Sequence, residues 1–262
     1  MNKVCVVMPM YGHHEMTKQC VDETIEKAGM PVDVLVVDDG SKEPFNYERE
    51  GLTVLRLKKN TGYTGATNAG ILFCGDRYDY LHLQNNDIHP YQDYIKLLFD
   101  VMEEQSVIGI AGSVRILNTD SPHNIELYGV DLIRGYQMMT NGDVPNDVLY
   151  VHWVPLCSSL VRAEMLRYIG ILDPRMIMWC SDNDLCIRAN FAGWNVALVM
   201  KSRVHHIHQV STGTNNEAGV KRDQAVLLEK ISGYKYAELM KTIPLDAESQ
   251  TYGKLEFSVY KK

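Results

Sequence analysis

Carboxylates recur in this sequence where an apolar run ends. Leu35-Val36-Val37 stops at Asp38-Asp39-Gly40-Ser41, and the alternating Tyr80-Leu81-His82-Leu83-Gln84 stops at Asn85-Asn86-Asp87. A β-branched apolar run closed by acid and glycine reads as a buried strand ending in a turn that presents its carboxylates at a sheet edge. There a carboxylate can accept from a ligand, and the imide N–H of uracil or thymine is a donor that fits. Asp39 is placed to face outward. Asp38 reads equally as a turn acid that accepts from local backbone N–H groups. Tyr11, just past the first strand, offers a ring to stack on a base; the plainer alternative is a half-buried rim aromatic.

Three further groups carry chemistry. Asn85-Asn86-Asp87 offers hard oxygen ligands suited to Mg²⁺ or Mn²⁺, or else a polar turn ahead of Pro90. His205, His206 and His208 lie on an extended segment after Arg203, where alternation sends His206 and His208 to one face and His205 to the other. They read as imidazole ligands beside Asp87 or as a polar strand edge. Ser181-Asp182-Asn183-Asp184 opens a helix, with Ser181 or Asp182 as its N-cap. One of the two aspartates, which cannot share a helix face, is a candidate general base. A carboxylate near a helix N-terminus stays ionised. The stretch from Asn60 to Gly70 is a glycine loop running into a helix that could cradle phosphate. It is neither a P-loop nor the dinucleotide fingerprint.

These residues need a scaffold, and the first part of the chain supplies one. Val4–Met8, closed by Pro9, Val32–Val37, Leu52–Leu57, Asp79–Gln84 and Val107–Ala111 read as strands. Glu15–Lys27, Thr67–Cys74 and Tyr91–Glu104 read as helices between them. That alternation predicts a parallel sheet covered on both faces, with its ligand outside the carboxyl ends of the strands. Pro9, Tyr11, Asp38, Asp39, Lys58, Lys59, Asn60 and Asp87 all fall at such ends. The region from Arg115 to Asn146 suggests a hairpin excursion. Beyond it the expected elements are a strand at Val151–Val154, helices at Ala163–Tyr168 and Asp182–Phe191, a strand at Asn195–Val199 and a helix at Lys221–Ile231. The polar tail to Lys262 is expected to be peripheral.

Composition bounds the partners. The 262 residues carry a net charge of −7. Broad attraction to nucleic acid or to an anionic membrane is therefore not expected, and an anionic ligand needs a local cation. Six scattered cysteines without a CxxC pair read as buried free thiols in a reducing, cytoplasmic setting. Neither a signal peptide nor an apolar run long enough to span a bilayer is evident.

Taken in order, the motifs resemble those of glycosyltransferase family 2. Val4–Tyr11 is similar to the family's opening strand with Pro-x-Tyr, and Val36–Ser41 to its Val-Asp-Asp-Gly-Ser. Asn60–Gly70 is similar to Asn-x-Gly-x-x-x-Ala-x-Asn-x-Gly, and Asn85–Asp87 to the metal motif. Ser181–Arg188 resembles Glu-Asp-x-Asp-Leu-x-x-Arg, and Arg203–His206 resembles Val-x-His. Gly12, Asn85 and Ser181 depart from the family's asparagine, acid and glutamate.

The resemblance implies a GT-A type α/β fold, with a Rossmann-like, mostly parallel sheet flanked by helices. Residues 1–112 would form the donor half, 113–215 the acceptor-binding and catalytic half, and 216–262 a C-terminal helix and tail. It implies an inverting, metal-dependent transferase. The enzyme would move a sugar from a UDP- or dTDP-linked donor to a hydroxyl of a glycan, lipid-linked or protein-linked acceptor. Pro9, Tyr11, Asp39, Asn60, Gly62, Asn68 and Asn86 would contact the donor. Asp87 and His206, with His208 in reserve, would hold Mn²⁺ or Mg²⁺. Asp182 would be the base, exchanged for Asp184 if the latter faces the cleft. Trp153, Trp179, Tyr128 and Tyr136 could stack on sugar rings or serve in packing. Peripheral membrane contact and a homodimer remain open. Nucleotidyl transfer to a sugar phosphate and an inactive sugar-nucleotide-binding module are the alternatives.

Overall fold

In a computed structural model the described residues are 3–116, 124–128, 136–140, 147–207, 217–232 and 257–260. The chain begins with β1 (Val4–Met10), α1 (His14–Lys27), β2 (Asp33–Asp38), β3 (Leu52–Leu57), α2 (Gly62–Cys74), β4 (Tyr80–Gln84), β5 (Ile88–Pro90), α3 (Tyr94–Glu104) and β6 (Ile108–Ile116). A hairpin follows, β7 (Asn124–Tyr128) and β8 (Tyr136–Thr140), and then β9 (Val148–Val151) and β10 (Ser158–Arg162). The remaining elements are α4 (Ala163–Ile169), α5 (Ser181–Phe191), β11 (Asn195–His206), α6 (Glu217–Ile231) and β12 (Phe257–Tyr260).

The main sheet runs β12-β3-β2-β1-β4-β10-β6-β11-β5. Alternation along β1 divides the core. Cys5 and Val7 pack with Ala66 and Ala69 of α2, Leu166 of α4 and Leu185 of α5 on one face. Val4, Val6 and Met8 pack with Val21 of α1 and Leu98 of α3 on the other. Burying one such valine or leucine contributes about 1.5–3 kcal/mol, so both faces hold the sheet firmly.

The sheet departs from the parallel expectation at β10, which runs antiparallel to both β4 and β6. No crossover helix precedes β10. It follows a loop and returns along the sheet, so the βα alternation that signals parallel pairing is absent there. Pro9 does not close β1 but lies within it, opposite Val37. The β4 pairing stops at Val7, so the missing N–H of Pro9 faces no ladder.

Other boundaries shift. α2 begins at Gly62, five residues before the expected start, and β11 extends seven residues beyond Val199 to His206. The expected strand at Val151–Val154 instead ends at Val151, and Trp153 and Val154 pack into the core. The tail is not wholly peripheral, since β12 pairs antiparallel with β3. Phe257-Ser258-Val259-Tyr260 is rich in strand formers, and β3 offers it an open edge. All six cysteines are free. Among the described residues no helix is long and apolar enough to cross a membrane.

Candidate active site

The carboxyl ends of β1, β2 and β4, the end of β11 and the start of α5 meet around a cavity of about 790 Å³. Its wall includes Pro9, Tyr11, Asp39, Asn60, Gly62, Asn86, Asp87, Asp182 and His206. One expected donor contact is elsewhere. Asn68 is buried on α2, where its amide donates to the Leu172 carbonyl at 2.9 Å and accepts from Leu172 N–H at 3.0 Å. That pair of bonds ties α2 to the segment before α5 and uses the side chain for structure. Lys58 and Lys59 are exposed and not on the cavity wall. The arginine on the wall is Arg115, a lone charge in the apolar run of β6. A single charge in an otherwise uncharged strand is a signal of function that the sequence does carry.

At the β2 end the two aspartates divide. Asp38 accepts from Ser41 N–H at 2.9 Å and Phe45 N–H at 3.1 Å and pairs with Arg56, so it holds the turn. Asp39 lines the cavity although it is only 3% exposed. It accepts from Thr61 N–H at 2.8 Å, Thr61 Oγ1 at 2.7 Å and Gly62 N–H at 2.9 Å. The acid thus meets unpaired N–H groups at the start of α2. Three bonds leave a carboxylate about one acceptor site for a ligand. Burial pushes Asp39 up to about 6, against the pull of Thr61 and Gly62. The loops also need glycine. At Gly40 (φ +69°) a Cβ would come within 2.7 Å of the Lys59 backbone, and at Gly62 (φ +77°) within 2.8 Å of the Ile177 carbonyl oxygen.

Asp87 and His206 are brought together by an irregularity. The β11–β6 register shifts between Val199 and Arg203, after which Val204–His206 pairs antiparallel with β5. This sets His206 Nε2 2.9 Å from Asp87 Oδ1, and Ile207 N–H donates to the Asp87 carbonyl at 3.0 Å. His205 turns to the other face and stacks on His89. His208 lies outside the described residues, as do the side chains of Tyr128 and Tyr136. His206 Nε2 is also 3.1 Å from the Asn85 amide nitrogen, and Nδ1 is 3.3 Å from Arg115 Nη1. Burial lowers the imidazole pKa, but Cys157 and Asp87 outweigh it and push it up to about 10. Asn86 lines the cavity, while its amide nitrogen donates inward to Thr17 at 2.8 Å. Among the described residues no group of three or more His, Cys, Asp or Glu side chains converges on one point, so Asp87 and His206 offer a divalent ion two protein ligands, one carboxylate oxygen and one imidazole nitrogen, a donor pair that suits Mn²⁺ better than Mg²⁺. Such an ion has to displace the imidazole proton.

On the opposite wall α5 separates its two acids. The cap position is Cys180, in a left-handed conformation (φ +64°), in place of Ser181 or Asp182. Asp182 therefore sits in the first turn, facing the cavity, and accepts from Asn183 N–H at 2.9 Å. Burial outweighs the helix terminus and raises it to about 6. Asp184 points into the core, where it pairs with Arg188 at 2.9 Å and with Lys230. Trp179, Val220 and Gln224 complete this wall, and the last two come from α6.

A central sheet of this order, flanked by helices, is that of a GT-A type glycosyltransferase fold. The chain belongs to glycosyl transferase family 2, whose family model matches residues 5–153. It is 20% identical over 230 residues to an uncharacterized glycosyltransferase of Rickettsia typhi, covering 81% of this chain and 67% of that protein. Its fold is similar to the crystal structure of GalNAc-T7 with UDP, GalNAc and Mn²⁺. The TM-score is 0.68 at 13% identity, over 94% of this chain and 52% of that one. The chain thus spans about half the length of that structure, and at this identity the likeness is one of fold.

Proposed function

We propose that this chain is an inverting, metal-dependent glycosyltransferase. It moves a hexosyl or deoxyhexosyl group from a UDP- or dTDP-linked donor to a hydroxyl of a glycan, lipid-linked or protein-linked acceptor, in polysaccharide biosynthesis. The observation that carries the reading is one cavity walled by Asp39, by Asp87 with His206, and by Asp182. Asp39 accepts from the pyrimidine imide, beside Pro9 and Tyr11, with Asn60, Gly62 and Asn86 along the donor wall. Asp87 and His206 hold Mn²⁺ or Mg²⁺, and Arg115 adds a fixed positive charge next to them. When bound, the divalent ion neutralises charge on the leaving diphosphate.

Asp182 takes the proton of the acceptor hydroxyl as that oxygen attacks the sugar C1 from the face opposite the diphosphate. Residues 1–112 serve the donor, residues 113–215 serve the acceptor and the base, and residues 216–262 form the appended helix and tail. Six free thiols fit a reducing cytoplasm.

A thermal-shift panel of UDP-, dTDP- and GDP-linked sugars, with and without Mn²⁺, tests the reading. Stabilisation by a pyrimidine donor only when Mn²⁺ is present is expected. Equal stabilisation by GDP-sugars, or no dependence on metal, would contradict it.

A further inference from the structure

The family model ends at residue 153, yet α6, which starts at Glu217, lines the cavity. Its Gly219, Asp223 and Lys230 are buried on one side, while Val220 and Gln224 face the cavity. Asp223 is fully buried. One of its oxygens accepts from both Met178 N–H and Trp179 N–H at 2.9 Å, and the other accepts from Arg222 Nε at 2.7 Å. Seven residues along the same helix, Lys230 pairs with Asp173 at 3.0 Å and with Asp184. The turn between these anchors carries Trp179, the left-handed Cys180 and Asp182. A non-glycine residue with positive φ persists only where its surroundings over-determine it. The bonds from Asp223 fall one and two residues before Cys180 and supply that constraint.

We infer that Asp223 is a positioning residue for transfer: by accepting the two backbone N–H groups it fixes the turn that aims Asp182 and Trp179 into the cavity. Asp223 is not on the cavity wall, so it acts through the turn. The inference rests on the assignment of Asp182 as base. It makes α6 part of the catalytic half, although the helix lies far along the chain from the donor motifs.

The test measures kcat and donor KM for D223A, D223N and D182N, using the UDP- or dTDP-sugar selected by thermal shift. Misplacing a catalytic group by about 1 Å can cost about 100-fold. For D223A we expect kcat to fall about 10- to 100-fold while donor KM stays within about twofold. D223N keeps a carbonyl oxygen for the same two N–H groups and should recover most of the loss. If D223A does not fold, D223E, which displaces the acceptor by one methylene, should show the fall in kcat. Wild-type kcat in D223A or in D223E, with D182N inactive, overturns the inference alone. So does a D223N as impaired as D223A. Turnover by D182N overturns the base assignment and the inference with it.

Discussion

Two walls of the cavity, the proposed donor wall and the proposed catalytic wall, are built by different means. The donor wall is local. Asp39 and Asp87 follow directly on β2 and β4, and their supports lie in neighbouring turns, such as Thr61 and Gly62 for Asp39. The catalytic wall is assembled at long range. Asp223 reaches back 45 residues to Met178, and Lys230 reaches 57 to Asp173. Between them Arg188, buried beside Asp184, donates to the carbonyls of Ile169, Gly170 and Ile171. Strand ends in a twisted sheet come pre-placed by the fold. A helix N-terminus outside the sheet must be held in place by buried charges. Changes on the catalytic wall should therefore act on turnover or stability and spare nucleotide binding, with the converse on the donor wall.

The largest separation of the two walls should come from Asp182→Asn. General-base removal costs about 10²- to 10⁴-fold in rate, and donor affinity should be unchanged. Steady-state transfer, with nucleotide titration alongside, checks both halves. Near-normal turnover would remove Asp182 from the role of base.

Stability gives the next contrast. Arg188→Ala deletes one partner of a buried ion pair and leaves three carbonyls with lost donors. Such a deletion costs about 3–5 kcal/mol. Chemical denaturation should show that loss, while the affinity of the folded protein for nucleotide is retained. A change below about 1 kcal/mol would show that the catalytic wall does not depend on its buried charges.

A smaller effect lies in the pH dependence. A base works only when ionised, and burial raises Asp182 to about 6. Turnover should be full above that value and should fall as pH drops through it, tenfold per unit at the limit. Asp39, also raised to about 6, adds a loss of donor affinity over the same range. An acid limb near pH 4 for kcat would place the base outside this buried turn.

The donor wall was legible in the sequence because its signals are local. A β-branched run that stops at Asp-Asp-Gly-Ser marks both strand and turn, so Asp38 and Asp39 could be placed there, while the division of their roles came from the family resemblance. Even there the bonds that bury Asp39 have no local signal, because its partner loop lies 22 residues on. Asn68 looked like a phosphate-loop residue by spacing, but its partner Leu172 is 104 residues away. Asp223 and Lys230 carry no local signature, since each takes its meaning from a backbone or carboxylate that only the fold supplies. Alternation put His206 and His208 on one face and the family resemblance chose His206, but the register shift that carries it to Asp87 follows no sequence rule applied to β11.

Asp87 and His206 are proposed to form the metal site of a nucleotide-binding cavity. Calorimetric titration of UDP and dTDP into the wild-type protein and the Asp87→Ala variant, with Mn²⁺ present and absent, tests it most directly. Binding to the wild-type protein should require Mn²⁺ and should be lost in the variant. Equal affinity in the two proteins, with or without Mn²⁺, would contradict it.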